Sequence, residues 1–260
     1  MRVTIVGSGN VATHISAAIK NAGHRIVQVY SRNLQHAALL AYHVGAEAID
    51  DLNALTINTD LFIVSVKDDA VLSMVAQLAI YGKLIAHTSG AVELLPMLEF
   101  TQQAGVFYPL QTFSKTSELN FREVPMCIEG ANESITKTLE DLARDISNKV
   151  YRISSAQRKV LHLAAVFACN FTNHLYGIGE ALLKDSGMSF DMLRPLIAET
   201  ADKIKERSPF TVQTGPAVRN DGTTMAAHLQ LLEQQPRLKE IYEVLSQDII
   251  KNHNGVNGDG

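Results

Sequence analysis

Tryptophan is absent from this chain, and only two residues are cysteines, Cys127 and Cys169. Two thiols this far apart exclude a disulfide scaffold and a closely spaced zinc cluster, and they suit a reducing compartment. Both lie in apolar runs, PMCIE and VFACNF, where a free cysteine is expected to be a small buried hydrophobe. No sign of charge dominates. With 23 Lys+Arg against 27 Asp+Glu the formal net charge is −4, so the overall charge draws the protein to neither nucleic acid nor an anionic membrane. No run approaches the ~20 apolar residues of a membrane span. The opening MRVTIVGSG carries only Val3 to Val6 before a glycine, too short for the apolar core of a signal peptide. A soluble, cytoplasmic protein is the expectation. What is present is ordinary for a globular chain: 260 residues, 46% hydrophobic and 19% charged, enough for one large or two small domains with a real core.

The pattern changes near residue 153. Before it, seven short runs rich in Val and Ile (3–7, 25–31, 61–66, 83–89, 105–108, 125–129 and 149–153) alternate with helical patterns such as NVATHISAAIKNAG and DAVLSMVAQLAI. The runs are continuous rather than alternating, as strands covered on both faces should be. Strand–helix alternation predicts an α/β domain, a doubly wound, mostly parallel sheet of the Rossmann type over 1–153. After it, strand signals stop. Residues 154–186 read as one long helix with an apolar stripe through Leu161, Ala165, Ala168, Phe171, Leu175 and Leu182, and helices follow at 189–206, about 224–234, and 236–251. The region 154–260 is therefore expected to be an all-helical domain, with a frayed tail.

The strongest motif is at the front. Gly7, Ser8, Gly9, Asn10, Val11 and Ala12 follow a strand and open a helix, and fit G-x-G-x-x-G/A. Gly7 permits the tight turn, Gly9 lets a diphosphate approach the backbone, and Ala12 lets helix and strand pack closely. Free amides of the helix start then face the diphosphate. The end of the second strand selects the dinucleotide. It reads Tyr30-Ser31-Arg32-Asn33, with no acid to bond a ribose 2′-hydroxyl and with Ser31 and Arg32 placed to hold a 2′-phosphate. NADP is expected over NAD. Val66 and Lys67, after the strand 61–66, are expected to pass over the adenosine ribose, and Asp69 to cap the next helix. Strand 83–89 ends in His87-Thr88-Ser89-Gly90, where Ser89 either reaches the nicotinamide or substrate or caps a helix.

GSGNVA, the SRN after strand two, VKDDAV (66–71), HTSGAVELL (87–95), YPLQTFS (108–114), HLAAVFACNF (162–171) and TGPAVRND (214–221) occur in that order. Together they resemble a family of NADP oxidoreductases with an N-terminal Rossmann-like domain and a C-terminal helical domain of unknown function. That family lies within the wider group of pyrroline-5-carboxylate reductase, prephenate dehydrogenase, 6-phosphogluconate dehydrogenase and 3-hydroxyisobutyrate dehydrogenase. The resemblance covers about residues 2–252. It implies a C-terminal domain like that of 6-phosphogluconate dehydrogenase, and pairing of two copies through the helical domains. It also exposes two departures. The Lys-x-x-x-Asn pair of the hydroxyacid dehydrogenases is missing, because Lys159 is followed four residues later by Leu163. Tyr108 stands where a histidine is expected.

Residues that remain for chemistry are His162, since histidine is the residue type suited to proton exchange near neutrality, and Asn170 on the same helix. They are eight residues apart, close to one face and about 12 Å along the axis. Ser89 and His174 are further candidates. Arg219, in the turn Thr214–Asp221, offers a fork for a substrate carboxylate or phosphate, or an ion pair with Asp221. No metal ligand set is evident. The two function classes are an NADP-dependent oxidoreductase acting on a small anionic keto, hydroxy or imino substrate, and a non-catalytic NADP-binding sensor or scaffold. The apolar stripe of 154–186 is long for a small helical domain to cover alone, so a homodimer is expected.

Overall fold

The computed structural model describes residues 1–114 and 119–256. The chain divides into two compact units, Met1–His174 and Leu175–Gly260. The change of pattern near 153 thus marks where strands end, and the first unit runs on through the following helix.

In the first unit eight strands form one sheet: β1 (Arg2–Val6), β2 (Arg25–Tyr30), β3 (Glu47–Ile49), β4 (Leu61–Val64), β5 (Leu84–His87), β6 (Ala104–Pro109), β7 (Met126–Gly130) and β8 (Val150–Arg152). Their order is β3-β2-β1-β4-β5-β6-β7-β8. All neighbours run parallel except β6 and β7. The order reverses at β1, which pairs Ile5 with Val29 on one side and with Ile63 on the other. The carboxyl ends of β1 and β4 therefore diverge into a crevice, the place where open α/β sheets bind ligands. The strand β3 was not legible in the sequence: three residues, Glu-Ala-Ile, are too few to show a period.

Both faces of the sheet are covered, which is why the strands are continuously apolar. On one face Ile15 and Ile19 of α1 (Asn10–Asn21), Leu40 of α2 (Leu34–Val44) and Leu139 of α4 (Glu133–Ile146) share a buried cluster with Val3, Ile5, Leu61 and Ile63. On the other, Val71, Val75 and Leu78 of α3 (Asp68–Leu78) pack with Phe62, Val64, Ile85 and Tyr108. Gly23, at φ 88°, follows α1 in the left-handed region expected of its terminator. Asp69 departs from its expected role. The residue before α3 is Lys67, no side chain caps the helix, and Asp68 and Asp69 both lie inside its first turn. There their charges favour the helix dipole instead of closing a cap.

The expected single helix over 154–186 is helical throughout but not uniform. It comprises α5 (Ser155–Ala165), a π-helical turn at Val166–Phe171, and α6 (Thr172–Asp185). Thr172 Oγ1 donates to the carbonyl of Phe167, five residues back, at 3.3 Å. Ser154 and Gln157 form a capping box that starts α5. In the second unit a 3₁₀ turn at Phe190–Met192 precedes α7 (Arg194–Lys203), followed by α8 (Gly222–Leu231) and α9 (Pro236–Val256). The expectation of a frayed tail falls partly on 257–260, outside the described residues. Cys127 is buried in β7, as expected. Cys169 is not: it is exposed in the π turn. Its neighbours Phe167 and Phe171 are also exposed, at 62% and 49%, so the apolar run VFACNF marks an uncovered face and not a core. Among the described residues no helix is long and apolar enough to cross a membrane.

Candidate dinucleotide and proton-transfer site

Gly7 sits at the carboxyl end of β1 with φ 122°, and its amide donates to the Tyr30 carbonyl at 2.8 Å. A Cβ there would lie 2.2 Å from the Ser65 carbonyl oxygen, so only glycine fits between β1 and β4. Around Gly9 the requirement is reversed. A Cβ would meet nothing within 4 Å, so the constraint on this glycine comes from what approaches it from outside. Gly9 precedes α1 without a side-chain cap, and the first turn of α1 holds no acidic residue. The first amides of α1 are thus free to hold an anion, with the positive end of the helix dipole behind them. Ala12 is fully buried where α1 meets the sheet. Ser8 Oγ donates to Ser31 Oγ at 3.0 Å, which joins the glycine loop to the end of β2. The neighbouring Arg32 is exposed, with no hydrogen bond or ion pair among the described residues. Asn10 and Val11 lie in the first turn of α1, Val66 is half-buried, and exposed Lys67 leads into α3. The donor set fits a phosphorylated dinucleotide: free helix amides, a glycine approach, and one uncommitted guanidinium.

One contact here is absent from the sequence reading. The segment after β6 returns to α1, where Asn10 Nδ2 donates to the Phe113 carbonyl at 2.9 Å and His14 Nε2 lies 2.8 Å from the Ser114 carbonyl.

Next along the sheet, β5 ends in His87. Its side chain is fully buried, and burial, with a lesser contribution from the Arg158 charge, pushes its pKa down to about 3. His87 Nδ1 accepts from the Ser89 amide at 3.1 Å, while Nε2 has no partner among the described residues. Ser89 Oγ accepts from the amides of Ala91 and Val92, both at 3.0 Å, so its hydroxyl closes a turn. Gly90 follows. A Cβ on Gly90 would come within 2.7 Å of His162 Nδ1 and 2.9 Å of Tyr108 Cζ. The glycine therefore permits a three-way approach between the β5 end, Tyr108 at the carboxyl end of β6, and His162 on α5. Tyr108 Oη lies 3.3 Å from His162 Nδ1, and the rings meet edge to face with centroids 6.3 Å apart. Burial, reinforced by the neighbouring Cys127, pushes the Tyr108 hydroxyl up to about 12, so it is neutral at physiological pH.

The helix that carries His162 is pinned one turn earlier. Arg158 is 1% exposed. Its Nη1 donates to Glu129 Oε2 at 2.6 Å and its Nη2 to the Val92 carbonyl at 2.5 Å. Glu129 also accepts from the Ser155 amide and hydroxyl. Lys159 pairs with Glu93 beside this knot. Strand β7, the chain after β5, and the start of α5 are thus tied at one ion pair between buried Arg158 and half-buried Glu129. Neither Arg158 nor Glu129 was a candidate on sequence. The available signal was an arginine four residues before His162, one helical turn away on the same side.

Asn170 is exposed, and its relation to His162 depends on the π turn. That wider turn takes up one extra residue, so Asn170 falls where the seventh residue after His162 would fall in an unbroken helix. It lies two turns on and on the same face, about 10 Å along the axis. His174 is exposed as well. Arg219 belongs to the second unit. Its neighbour Asp221 caps α8 through the Thr224 amide and hydroxyl, and these bonds more than the Arg219 charge hold its carboxyl below the usual range. His228, in α8, bonds Tyr242 at 2.9 Å.

Comparisons with known proteins agree with this geometry. Residues 2–88 match the family described as NADP oxidoreductase coenzyme F420-dependent. Residues 124–249 match a domain of unknown function, DUF2520. A crystal structure from Bacteroides fragilis, provisionally described as an NADP oxidoreductase, is 42% identical over 96% of this chain and 98% of its own, with a TM-score of 0.91. The chain belongs to this NADP oxidoreductase family. More distant structures share the fold. An imine reductase from Myxococcus stipitatus, in complex with NADP+, is 14% identical over 99% of this chain and 94% of its own, with a TM-score of 0.65. A 1-pyrroline-5-carboxylate reductase from Streptococcus pyogenes is 17% identical over 98% of both chains, with a TM-score of 0.63. No curated protein matches the chain.

Proposed function

We propose that the protein is an NADP-dependent oxidoreductase that moves a hydride to or from a small, anionic keto, hydroxy or imino substrate. The observation that carries this reading is the placement of two sites along the same edge of the sheet, on either side of β4. The anion cradle lies at the ends of β1 and β2, and an imidazole lies against the ends of β5 and β6. The dinucleotide, when bound, supplies or accepts the hydride. The chain's own residues do the rest.

Gly7, Gly9 and the first amides of α1 hold the diphosphate. Ser31 and Arg32 hold the 2′-phosphate, and Val66 and Lys67 flank the adenosine ribose. His162 exchanges the proton. In reduction the substrate carbon gains the hydride while its oxygen or nitrogen takes a proton from the imidazolium, leaving neutral His162. Oxidation runs the same step backwards. Asn170 orients the substrate's polar atom from the same helix face, and Ser89 supports the turn beneath it. Arg219 holds the substrate's anionic group.

A homodimer is part of this reading. Val160, Leu163, Phe167, Phe171, Leu175 and Leu182 of the long helix are between 37% and 69% exposed, and a second copy would cover them. The two free thiols support work in the reducing cytoplasm.

The test is NADPH consumption over a panel of keto acids and cyclic imines, with NADH in parallel. Turnover preferring NADPH supports the enzyme. Tight NADPH binding with no turnover of any member would leave the sensor or scaffold reading.

A further inference from the structure

We infer that Tyr108 is a positioning residue for His162: its hydroxyl oxygen accepts a hydrogen bond from His162 Nδ1–H, so that Nε2 alone gains and loses the proton. The inference rests on the proposed role of His162 and adds to it the atom that works and the residue that selects it.

Three observations carry it. First, Tyr108 Oη is 3.3 Å from His162 Nδ1, a polar contact between the two side chains. Second, Gly90 packs against the same edge of the imidazole, with a notional Cβ 2.7 Å from Nδ1 and 2.9 Å from Cγ. The Nδ1–Cγ edge therefore faces the sheet, and Nε2, on the opposite edge, is turned away from it. Third, α5 is anchored one turn earlier by the pair of buried Arg158 with half-buried Glu129, which keeps the ring over Gly90.

The direction of the bond follows from what each group must do in turnover. A proton-exchanging imidazole alternates between the doubly protonated ring and a neutral ring. If Nδ1 keeps its hydrogen in both states, the exchange takes place at Nε2, the atom with access to a ligand. The partner of Nδ1 must then be an acceptor throughout, and a tyrosine oxygen has lone pairs for this while keeping its own proton. Burial holds the Tyr108 proton in place, with a pKa near 12, so the phenol does not compete as the acid. Tyr108 thus orients the ring and fixes its tautomer, as a hydrogen-bonded partner does on the far nitrogen of many working histidines.

In a neutral histidine in water the hydrogen resides mainly on Nε2, so the arrangement inferred here is the minority tautomer and is recognisable. The experiment is long-range 1H–15N correlation of the histidine rings in the full-length protein at alkaline pH, with His162 assigned by its loss in His162→Gln. The expected pattern is a protonated, pyrrole-type Nδ1 and a bare, pyridine-type Nε2. In Tyr108→Phe the pattern should revert to protonated Nε2. Gly90→Ala, which pushes the ring off Tyr108 without removing the phenol, should do the same. A wild-type His162 with protonated Nε2, or one whose tautomer is unchanged in Tyr108→Phe, overturns the inference. Neither result depends on a substrate, so it leaves the proton-exchange reading of His162 to be judged separately by turnover.

Discussion

The two units of this chain are built on different terms. Met1–His174 has a buried cluster on each face of its sheet, with Ile5, Ile15, Leu61 and Leu139 in one and Phe62, Val75, Ile85 and Val106 in the other. In Leu175–Gly260 only Ala217 and Leu232 are buried among the described residues, while Leu196, Phe210, Leu231 and Val244 are at least 60% exposed. A helical segment held together by burial needs an apolar face covered. The first unit does that within one chain. The second does not, and in the first unit Val160, Leu163, Phe167 and Phe171 of the last helix are exposed as well. The difference separates a unit whose core is closed within one chain from a unit for which we propose a second copy.

The self-sufficiency of the first unit is most easily broken at the glycine loop. Gly7→Ala should cost about 4 kcal/mol or more of stability, because the new Cβ meets the Ser65 carbonyl oxygen at 2.2 Å and φ is 122°. Gly9→Val should leave the melting temperature within a few degrees of wild type yet abolish NADPH binding, since its side chain enters open space where the diphosphate approaches. Calorimetry of both variants, with and without NADPH, checks the pair.

The second unit is probed by assembly. Sedimentation at micromolar concentration should give a mass of about twice 28.4 kDa. Phe171→Asp should return it to a single chain and speed amide exchange in α7 and α8, with β1, β4 and β5 unchanged. A wild-type monomer with slow exchange in α7 and α8 would show that the second unit needs no partner.

Smaller effects sharpen the account of the first unit. Arg32→Ala should weaken NADPH binding by about 1.5–3 kcal/mol, as for a charged hydrogen bond, and leave NADH nearly unchanged. Equal loss for both would remove Arg32 from 2′-phosphate recognition. His87 should leave a signature in the pH dependence of stability. Its folded pKa of about 3 lies below the ~6.5 of an unfolded histidine. Between those values the unfolded chain binds the extra proton. The contribution is fully present above about pH 6.5 and is lost as pH falls toward 3, by about 1.4 kcal/mol per pH unit. His87→Asn, which keeps an acceptor for the Ser89 amide, should remove that one-proton slope from denaturant titrations at pH 6, 5 and 4.

Much of the first unit was legible because its physics is local. Continuous Val and Ile runs report strands covered on both faces, and GSGNVA reports a turn and a helix start within six residues. What the sequence did not show depends on contacts made at a distance. Tyr108 and His162 are 54 residues apart and meet only because β6 and α5 converge at Gly90. Tyr108 reads in the sequence only as a departure from an expected histidine, and the contact with His162 gives it another use. The Arg158–Glu129 pair joins β7 to α5 and has no local signature. A local apolar run also does not distinguish a buried segment from an uncovered one, which is why Cys169 in VFACNF was expected inside and lies outside.

The central claim is that the dinucleotide cradle and His162 serve one reaction. It is tested most directly by comparing wild type with His162→Ala, measuring NADPH affinity and single-turnover hydride transfer on a substrate found in the panel. The account predicts an unchanged NADPH dissociation constant and a transfer rate lowered by about 10²–10⁴-fold, the usual contribution of a positioned acid or base. An unchanged rate would contradict it and return His162 to a packing role between α5 and the sheet.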